Sequence, residues 1–426
     1  MKLTPFVLLF LCTTMLYAQQ PALQFFRTND KRGLNVFETS KVDTIAFEGV
    51  RVRLGGDFAM QFQGINQTNT ANTLVDLGTD FNLPTANLNL DVQLTDGVRM
   101  HLRTYLSSRH HEEAWVKGGH IRIDKLDFIR RGFLEGIMKH TTITIGLDEF
   151  NYGDTHFRRS DNARAIFNPF VENYIMDAFS TEAFGDVTVQ KNGLFVVIGV
   201  TNGKLNQNVV VTTASDNKAS VYGKVGFDKQ LTEDLRIRIA GSFYSNHGTT
   251  TGTWLYGGDR AGSRYYSVLH TVLDANGVVQ GTDFDGRYNS RFTKLTSFQI
   301  NPFVKFKGLE FFGVYELAKG SNDITQPTPD KEGDFTQIAG ELLYRFGGDE
   351  QFYVAGRYNT VKGKTLESAA ENLVISRMNV GAGWFLSKNI LAKIEYVNQQ
   401  YTGNAWTGRF AGAEFDGVTI EATISF

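Results

Sequence analysis

The sequence predicts an all-β fold, an antiparallel transmembrane β-barrel of about sixteen strands, on three observations. Residues 415–426 read F-D-G-V-T-I-E-A-T-I-S-F, a strand with Val418, Ile420, Ala422, Ile424 and Phe426 on one face and Thr419, Glu421, Thr423 and Ser425 on the other. Many earlier segments repeat this alternation with full charges on the polar face, which a wet interior accepts and a dry core does not. The connections between them alternate short and long, as they do when one rim of a barrel carries turns and the other carries loops.

Before the barrel, Lys2, an apolar run over residues 6–16 and Tyr17-Ala18-Gln19 read as a secretory signal peptide over residues 1–18, cleaved near Ala18. The chain's one cysteine, Cys12, falls inside it. The mature chain therefore carries no thiol, which removes disulfides, zinc–thiolate sites and cysteine nucleophiles together. No later stretch offers the ~18 uninterrupted apolar residues of a membrane-spanning helix. A formal net charge of −2 gives no support to a nucleic-acid partner.

Residues 19–47 are weakly periodic and read as a periplasmic lead-in or a segment tucked into the lumen, with the barrel over 48–426. In the first strand Val50, Val52, Leu54, Phe58, Met60 and Phe62 alternate with Arg51, Arg53, Asp57, Gln61 and Gln63. The next sets Leu88, Leu90, Val92 and Leu94 against Asn87, Asn89, Asp91 and Gln93. After the turn Thr95-Asp96-Gly97 its partner sets Val98, Met100, Leu102 and Leu106 against Arg99, His101, Arg103 and Ser107. Strands through Ile121, Ile123 and Phe128 and through Ile143, Ile145 and Leu147 flank a basic turn at Arg130 and Arg131. Later short turns fall at 191–193, 230–235, 307–308, 347–350 and 387–389, between long loops at 202–217, 247–291, 319–334, 361–372 and 402–414. One strand on each side of every connection gives sixteen strands, about seven short turns and about eight long loops. A hairpin inside the fifth loop, residues 265–272 and 278–281 around Asp274-Ala275-Asn276-Gly277, would make eighteen; it reads instead as a protruding external ribbon. Tyr344, Phe346, Tyr358, Trp384, Tyr396 and Phe426 sit on the apolar face near strand ends, where interfacial girdles belong.

The loop over 150–182 holds too much apolar surface for a solvated loop, including Phe157, Phe167, Phe170, Tyr174, Ile175 and Phe179, so it must fold inward. Asn168-Pro169 begins a short helix there, with Val171, Tyr174, Ile175, Ala178 and Phe179 at helical spacing. Its polar residues Arg158, Arg159, Asp161, Asn162, Arg164 and Glu172 then line a constriction facing Arg51, Arg53, Arg99 and Arg103 on the wall. The early cationic excess predicts a weak anion preference. The alternative is that these charges pair with one another and pin the loop. His110, His111, Glu112 and Glu113 form the one dense metal-like cluster, without a third ligand at suitable spacing. No local signature sets a nucleophile beside a base, so no catalytic, metal or cofactor site is expected.

The strand ending R-L-G-G-D-F, the turn L-T-D-G-V-R-M, the loop S-S-R-H-H-E-E-A-W-V-K-G-G and the third loop G-D-T-H-F-R-R-S-D-N-A-R-A-I-F-N-P-F-V-E-N-Y-I-M-D resemble porin-type outer-membrane proteins of the Bacteroidota. More distantly the chain is similar to the phosphate-selective porin family. The resemblance implies sixteen strands, a bacterial outer-membrane location, homotrimers, and passive diffusion of small hydrophilic solutes or anions without a cofactor. The alternatives are a barrel-anchored scaffold within a larger outer-membrane complex and, less favoured, a barrel enzyme.

Overall fold

The structure, a computed structural model, describes residues 20–81, 85–107, 114–161, 163–205, 209, 218–248, 253–259, 263–271, 286–322, 332–365 and 369–426. The predicted signal segment over 1–18 with Cys12, the cluster from His110 to Glu113, Asn162, and residues 274–281 lie outside the described residues. The strands are Arg51–Thr68 (β1), Asp80–Phe81 (β2), Thr85–Thr95 (β3), Val98–Ser107 (β4), Ala114–Ile123 (β5), Thr141–Glu149 (β6), Thr181–Lys191 (β7), Leu194–Thr201 (β8) and Ser220–Gln230 (β9). They continue with Leu235–Asn246 (β10), Lys294–Phe306 (β11), Leu309–Ser321 (β12), Glu332–Phe346 (β13), Phe352–Lys364 (β14), Leu373–Ser387 (β15), Ile390–Thr402 (β16) and Glu414–Ser425 (β17).

All neighbours pair antiparallel, and β1 closes the sheet by pairing with both β3 and β17, in register Arg51↔Gln93 and Asp57↔Ser425. β2 is a two-residue strip beside Phe62 and Gln63, which leaves sixteen spanning strands. Closure removes the unpaired edge that hydrocarbon would not tolerate. The closing residue is the terminal aromatic. The Phe426 N–H donates to the Gly56 carbonyl at 3.1 Å and the Gly56 N–H returns the bond at 3.2 Å, while a Cβ on Gly56 would stand 2.9 Å from the Phe426 ring.

Period-two alternation sends one face of each strand outward. Val52, Leu88, Ile198 and Ile338 are 50–68% exposed, and on β17 Val418, Ile420, Ile424 and Phe426 face out while Thr419, Glu421, Thr423 and Ser425 are fully buried. The exposed apolar belt with a charged interior is the inverse of a soluble protein and fits a lipid surround. At the rim of the short turns Tyr344, Phe346, Phe352 and Trp384 form a stacked row on adjoining strands, with centroids 5.7–6.0 Å apart, a segment of the expected girdle.

The lumen is occupied. Residues 20–47 lie across the short-turn end and the third loop fills the middle. The fifth loop folds in from the other end, where Leu255, Tyr256, Tyr265, Val268, Leu269 and Phe292 are all 4% exposed or less. Its described parts are therefore packed inside the barrel, and the protruding ribbon expected for this loop is corrected for residues 265–271. The helix expected from Asn168 also does not form: residues 168–180 run through bends, and the loop's helical turns lie upstream at Thr155–Arg158 and Ala165–Phe167. The backbone N–H groups of Val171, Ile175 and Met176 donate to Glu395, Asn359 and Gln337 of the wall at 2.7–2.8 Å, in place of helical carbonyls.

Ile338 lies near the middle of β13, so Ile338→Arg should lower equilibrium folding stability in lipid vesicles by ~2–4 kcal/mol. Equilibrium unfolding followed by tryptophan fluorescence measures it, and an unchanged midpoint would show that this face is not in contact with hydrocarbon.

Candidate functional site: the charged lumen

The site is built from inward strand positions and the main chain they hold. Lys393 on β16 donates to the carbonyls of Ala165, Asn168 and Phe170 at 2.9–3.1 Å, and its charge is matched by Glu421 at 2.7 Å. Arg357 on β14 and Arg377 on β15 donate to the carbonyls of Glu172 and Asn173 at 2.8 and 2.7 Å. Gln337 on β13 grips Met176 from both sides, accepting from its N–H and donating to its carbonyl at 2.7 Å. These wall residues are at most 3% exposed, so a lost partner would leave a buried polar group unsatisfied.

The opposite edge of the third loop carries an ionic network. Asp161 receives Arg103 at 2.7 Å and Lys117, and Arg159 grips Asp177 through Nε at 3.0 Å, contacts Asp259, and stacks on the Phe179 ring at 4.0 Å. Arg287 reaches Asp177 at 3.0 Å and Asp259 at 3.5 Å. Glu172 accepts from the Ser263 hydroxyl at 2.7 Å and the Arg264 N–H at 2.6 Å, joining the third loop to the fifth. Of the residues assigned to a constriction, Arg103, Arg159, Asp161 and Glu172 thus meet at the contact of the two loops with the wall.

Of the other six, Asn162 is outside the described residues and five lie elsewhere. Arg158 contacts Asn35 and stands 3.8 Å from Glu310, and Arg164 pairs with Glu149 at 3.0 Å. Arg51 sits at the rim with Glu48 at 2.6 Å, Arg53 lies over the Phe26 ring at 5.5 Å, and Arg99 donates to the Phe25 carbonyl at 2.5 Å. Those three meet residues 22–26 and Glu48, not the third loop. Lys117, Asp177, Asp259 and Arg287 were not singled out from sequence. The signal for the latter pair was the apolar run around Leu255 and Tyr256, which needs burial wherever it occurs.

Between residues 26–39 and the β3–β7 wall lies a cavity of about 170 Å³. His101 and His120, paired across β4 and β5, line it with ring centroids 5.2 Å apart. Each holds a carboxylate at Nδ1, Asp91 at 2.7 Å and Asp148 at 2.9 Å. Among the described residues no group of three or more His, Cys, Asp or Glu is placed to hold a metal.

Burial alone would raise the Asp259 carboxyl, but Arg159, Lys117 and Arg287 hold it well below the usual carboxylate range. Burial likewise opposes, and Lys117 and Arg103 override, at Asp161. Both folded values lie below the unfolded value of about 4, so the proton prefers the unfolded loop. The ion-pair stabilisation is fully present above that pH and is lost progressively as pH falls from it through the folded values. Hydrogen-exchange protection of residues 253–259, corrected for intrinsic rates, should hold from neutral pH to about pH 5 and decline below about pH 4. Asp259→Asn leaves three cations short of a partner and should cost ~3–5 kcal/mol of loop anchoring at neutral pH. Protection unchanged by acid or by this substitution would mean that the network does not hold the loop.

No family model and no curated protein matches the chain. Solved structures do. An anion-selective porin from Comamonas acidovorans superposes with a TM-score of 0.53 at 10% identity, over 88% of this chain and 100% of that one. OmpT, an outer-membrane protein of Vibrio cholerae, gives 0.51 at 10% identity over 90% and 99%, and the outer-membrane channel DcaP of Acinetobacter baumannii gives 0.50 at 9% over 90% and 99%. At these identities the likeness is one of fold: a closed barrel of the bacterial outer-membrane type.

Proposed function

We propose that the chain is a porin-type channel for passive diffusion of small hydrophilic solutes across the bacterial outer membrane, with an anion preference. The observation that carries this reading is the network of charged side chains where the third loop meets the wall inside the barrel. Four cations, Arg103, Lys117, Arg159 and Arg287, stand there with the carboxylates Asp161, Asp177 and Asp259, and Glu172 lies beside them. Charged side chains along a passage bias it toward ions of the opposite sign. The fold shared with an anion-selective porin and with a channel supports the same reading.

On this proposal residues 1–18 are a cleaved leader, 19–47 a luminal segment and 48–426 the barrel. The chain is then a porin of the Bacteroidota type, surrounded by outer-membrane lipid and without catalysis. A homotrimer is part of the proposal, in keeping with the trimer form of OmpT. The phosphate-selective likeness enters only as a candidate for the solute. Passage requires displacement of part of what occupies the lumen. That occupancy also favours a second reading, a barrel-anchored scaffold or accessory subunit of a larger outer-membrane complex.

The test is single-channel conductance of the refolded protein in a planar bilayer, with reversal potentials in a salt gradient. A channel should conduct with anions favoured; Arg103→Ala should shift the reversal potential toward cations and Asp161→Asn toward anions. Absence of conductance from folded barrels, including variants freed of luminal segments, would reject the channel and leave the scaffold.

A further inference from the structure

We infer that residues 20–47 form a removable plug, seated by polar contacts in the short-turn end of the lumen and hinged at Gly49. Only the consequence for flow rests on the channel reading; the seat is a matter of geometry. The segment meets the wall all the way round. Gln24 accepts from the Gly97 N–H at 2.9 Å, and its own N–H donates to Gln93 Oε1 at 3.1 Å. Asn29 donates to Asp57 at 2.7 Å and Asn35 to Glu310 at 2.9 Å. Glu38 lies 2.7 Å from Arg238 and 3.4 Å from Lys224, Lys41 pairs with Asp124 at 2.7 Å, and Gln190 donates to the Thr39 carbonyl at 2.9 Å.

Three features make the segment separable from the barrel. It adds no strand: among the described residues its one backbone-to-backbone hydrogen bond to the barrel is from the Lys31 N–H to the Lys388 carbonyl, so its departure breaks no ladder. It joins β1 through Gly49, whose φ of +125° suits glycine and whose absent Cβ would have met nothing within 4 Å. Its seat is also loosely packed, because the cavity of about 170 Å³ lies between it and the wall.

The contacts that hold it are of the kind water can replace. Leu23 and Phe37 are its buried apolar anchors, Phe37 packing edge-on against Phe157 and Phe303. Leu34 packs against the cluster of Ile166, Phe167 and Phe170, and most other contacts are hydrogen bonds and ion pairs, whose net worth is small when both partners can hydrate on release. Arg27 donates to the Phe157 carbonyl at 2.9 Å and lies over the Phe167 ring at 4.0 Å. Burial, then repulsion from Arg164, pulls its guanidinium down to about 9, so its charge is held there at a cost.

The lumen behind the plug can be tested with a single thiol. Thr188 lines the cavity and is 4% exposed, and the chain's one native cysteine, Cys12, lies in the predicted leader. In refolded, detergent-solubilised protein starting at residue 19, Thr188→Cys should react slowly with a charged, membrane-impermeant thiosulfonate. Deletion of residues 20–47 should speed the reaction at least ~10-fold, because protection reports the closed population. Gly33→Val, in the otherwise intact chain, should speed it too: a Cβ there would stand 2.9 Å from the Phe167 ring and 2.1 Å from the Thr28 carbonyl oxygen. Should the deletion fail to fold, Gly33→Val carries the test alone. Unchanged labelling in the folded variants overturns the plug. Faster labelling with no conductance supports the plug and counts against the channel reading, so the two proposals fail separately.

Discussion

A barrel wall whose inner face carries full charges must satisfy every one of them away from bulk water, and the rest of the lumen is arranged around that requirement. Strand neighbours meet part of it. Arg345 pairs with Glu310 at 2.9 Å and Arg236 with Asp228 at 2.7 Å, rungs of a cross-strand ladder. The ladder is incomplete, because Lys393, Arg357 and Arg377 spend donors on the carbonyls of the third loop. The main chain of that loop is irregular, and irregular backbone inside a barrel is tolerated where side chains complete its hydrogen bonds. Wall and loop therefore solve each other's problem.

The outer face follows from the same alternation that creates the inner one. A strand cannot present Thr419, Glu421 and Thr423 to the lumen without presenting Val418, Ile420 and Ile424 to lipid. Closure through β1 and β17 then fixes the circumference, and the circumference sets how much chain the interior must hold to leave its charges paired. Sixteen strands enclose more volume than their own side chains fill. The third and fifth loops and residues 20–47 take up the remainder.

The strands were legible because their signal is local. Period two over ten or so residues assigns each position a face, and the inward placement of Arg53, Arg99, Arg103 and Glu421 needed nothing more. Alternation gives no depth along the barrel axis, which is why Arg53 and Arg99, correctly turned inward, meet Phe26 and Phe25 instead of the third loop. The helix expected at Asn168 failed for the opposite reason. Its apolar spacing mimicked one helical face, but the segment is buried on all sides, and the partners of its N–H groups lie 161–224 residues away. The fifth loop was read as a protruding external ribbon. Asp259 and Arg287 instead find opposite charges on the third loop, a pairing no local window contains.

The kinds of contact inside the barrel divide it into parts of unequal permanence. The wall is held by antiparallel ladders on both sides of each of the sixteen spanning strands, and none opens without opening the barrel. The third and fifth loops share a buried apolar cluster, including Val171, Ile175, Met176, Leu255, Tyr265 and Leu269, so moving either exposes hydrocarbon surface to water. Residues 20–47 have no share in that cluster; their apolar hold is smaller, Phe37 beside Tyr174, Phe303 and Phe312 and Leu34 against Ile166 and Phe170, and most of their other contacts are side-chain polar ones that water can match. Stability therefore falls from wall to loops to amino-terminal segment, and a solute path that opens from one end would open first at the short-turn rim.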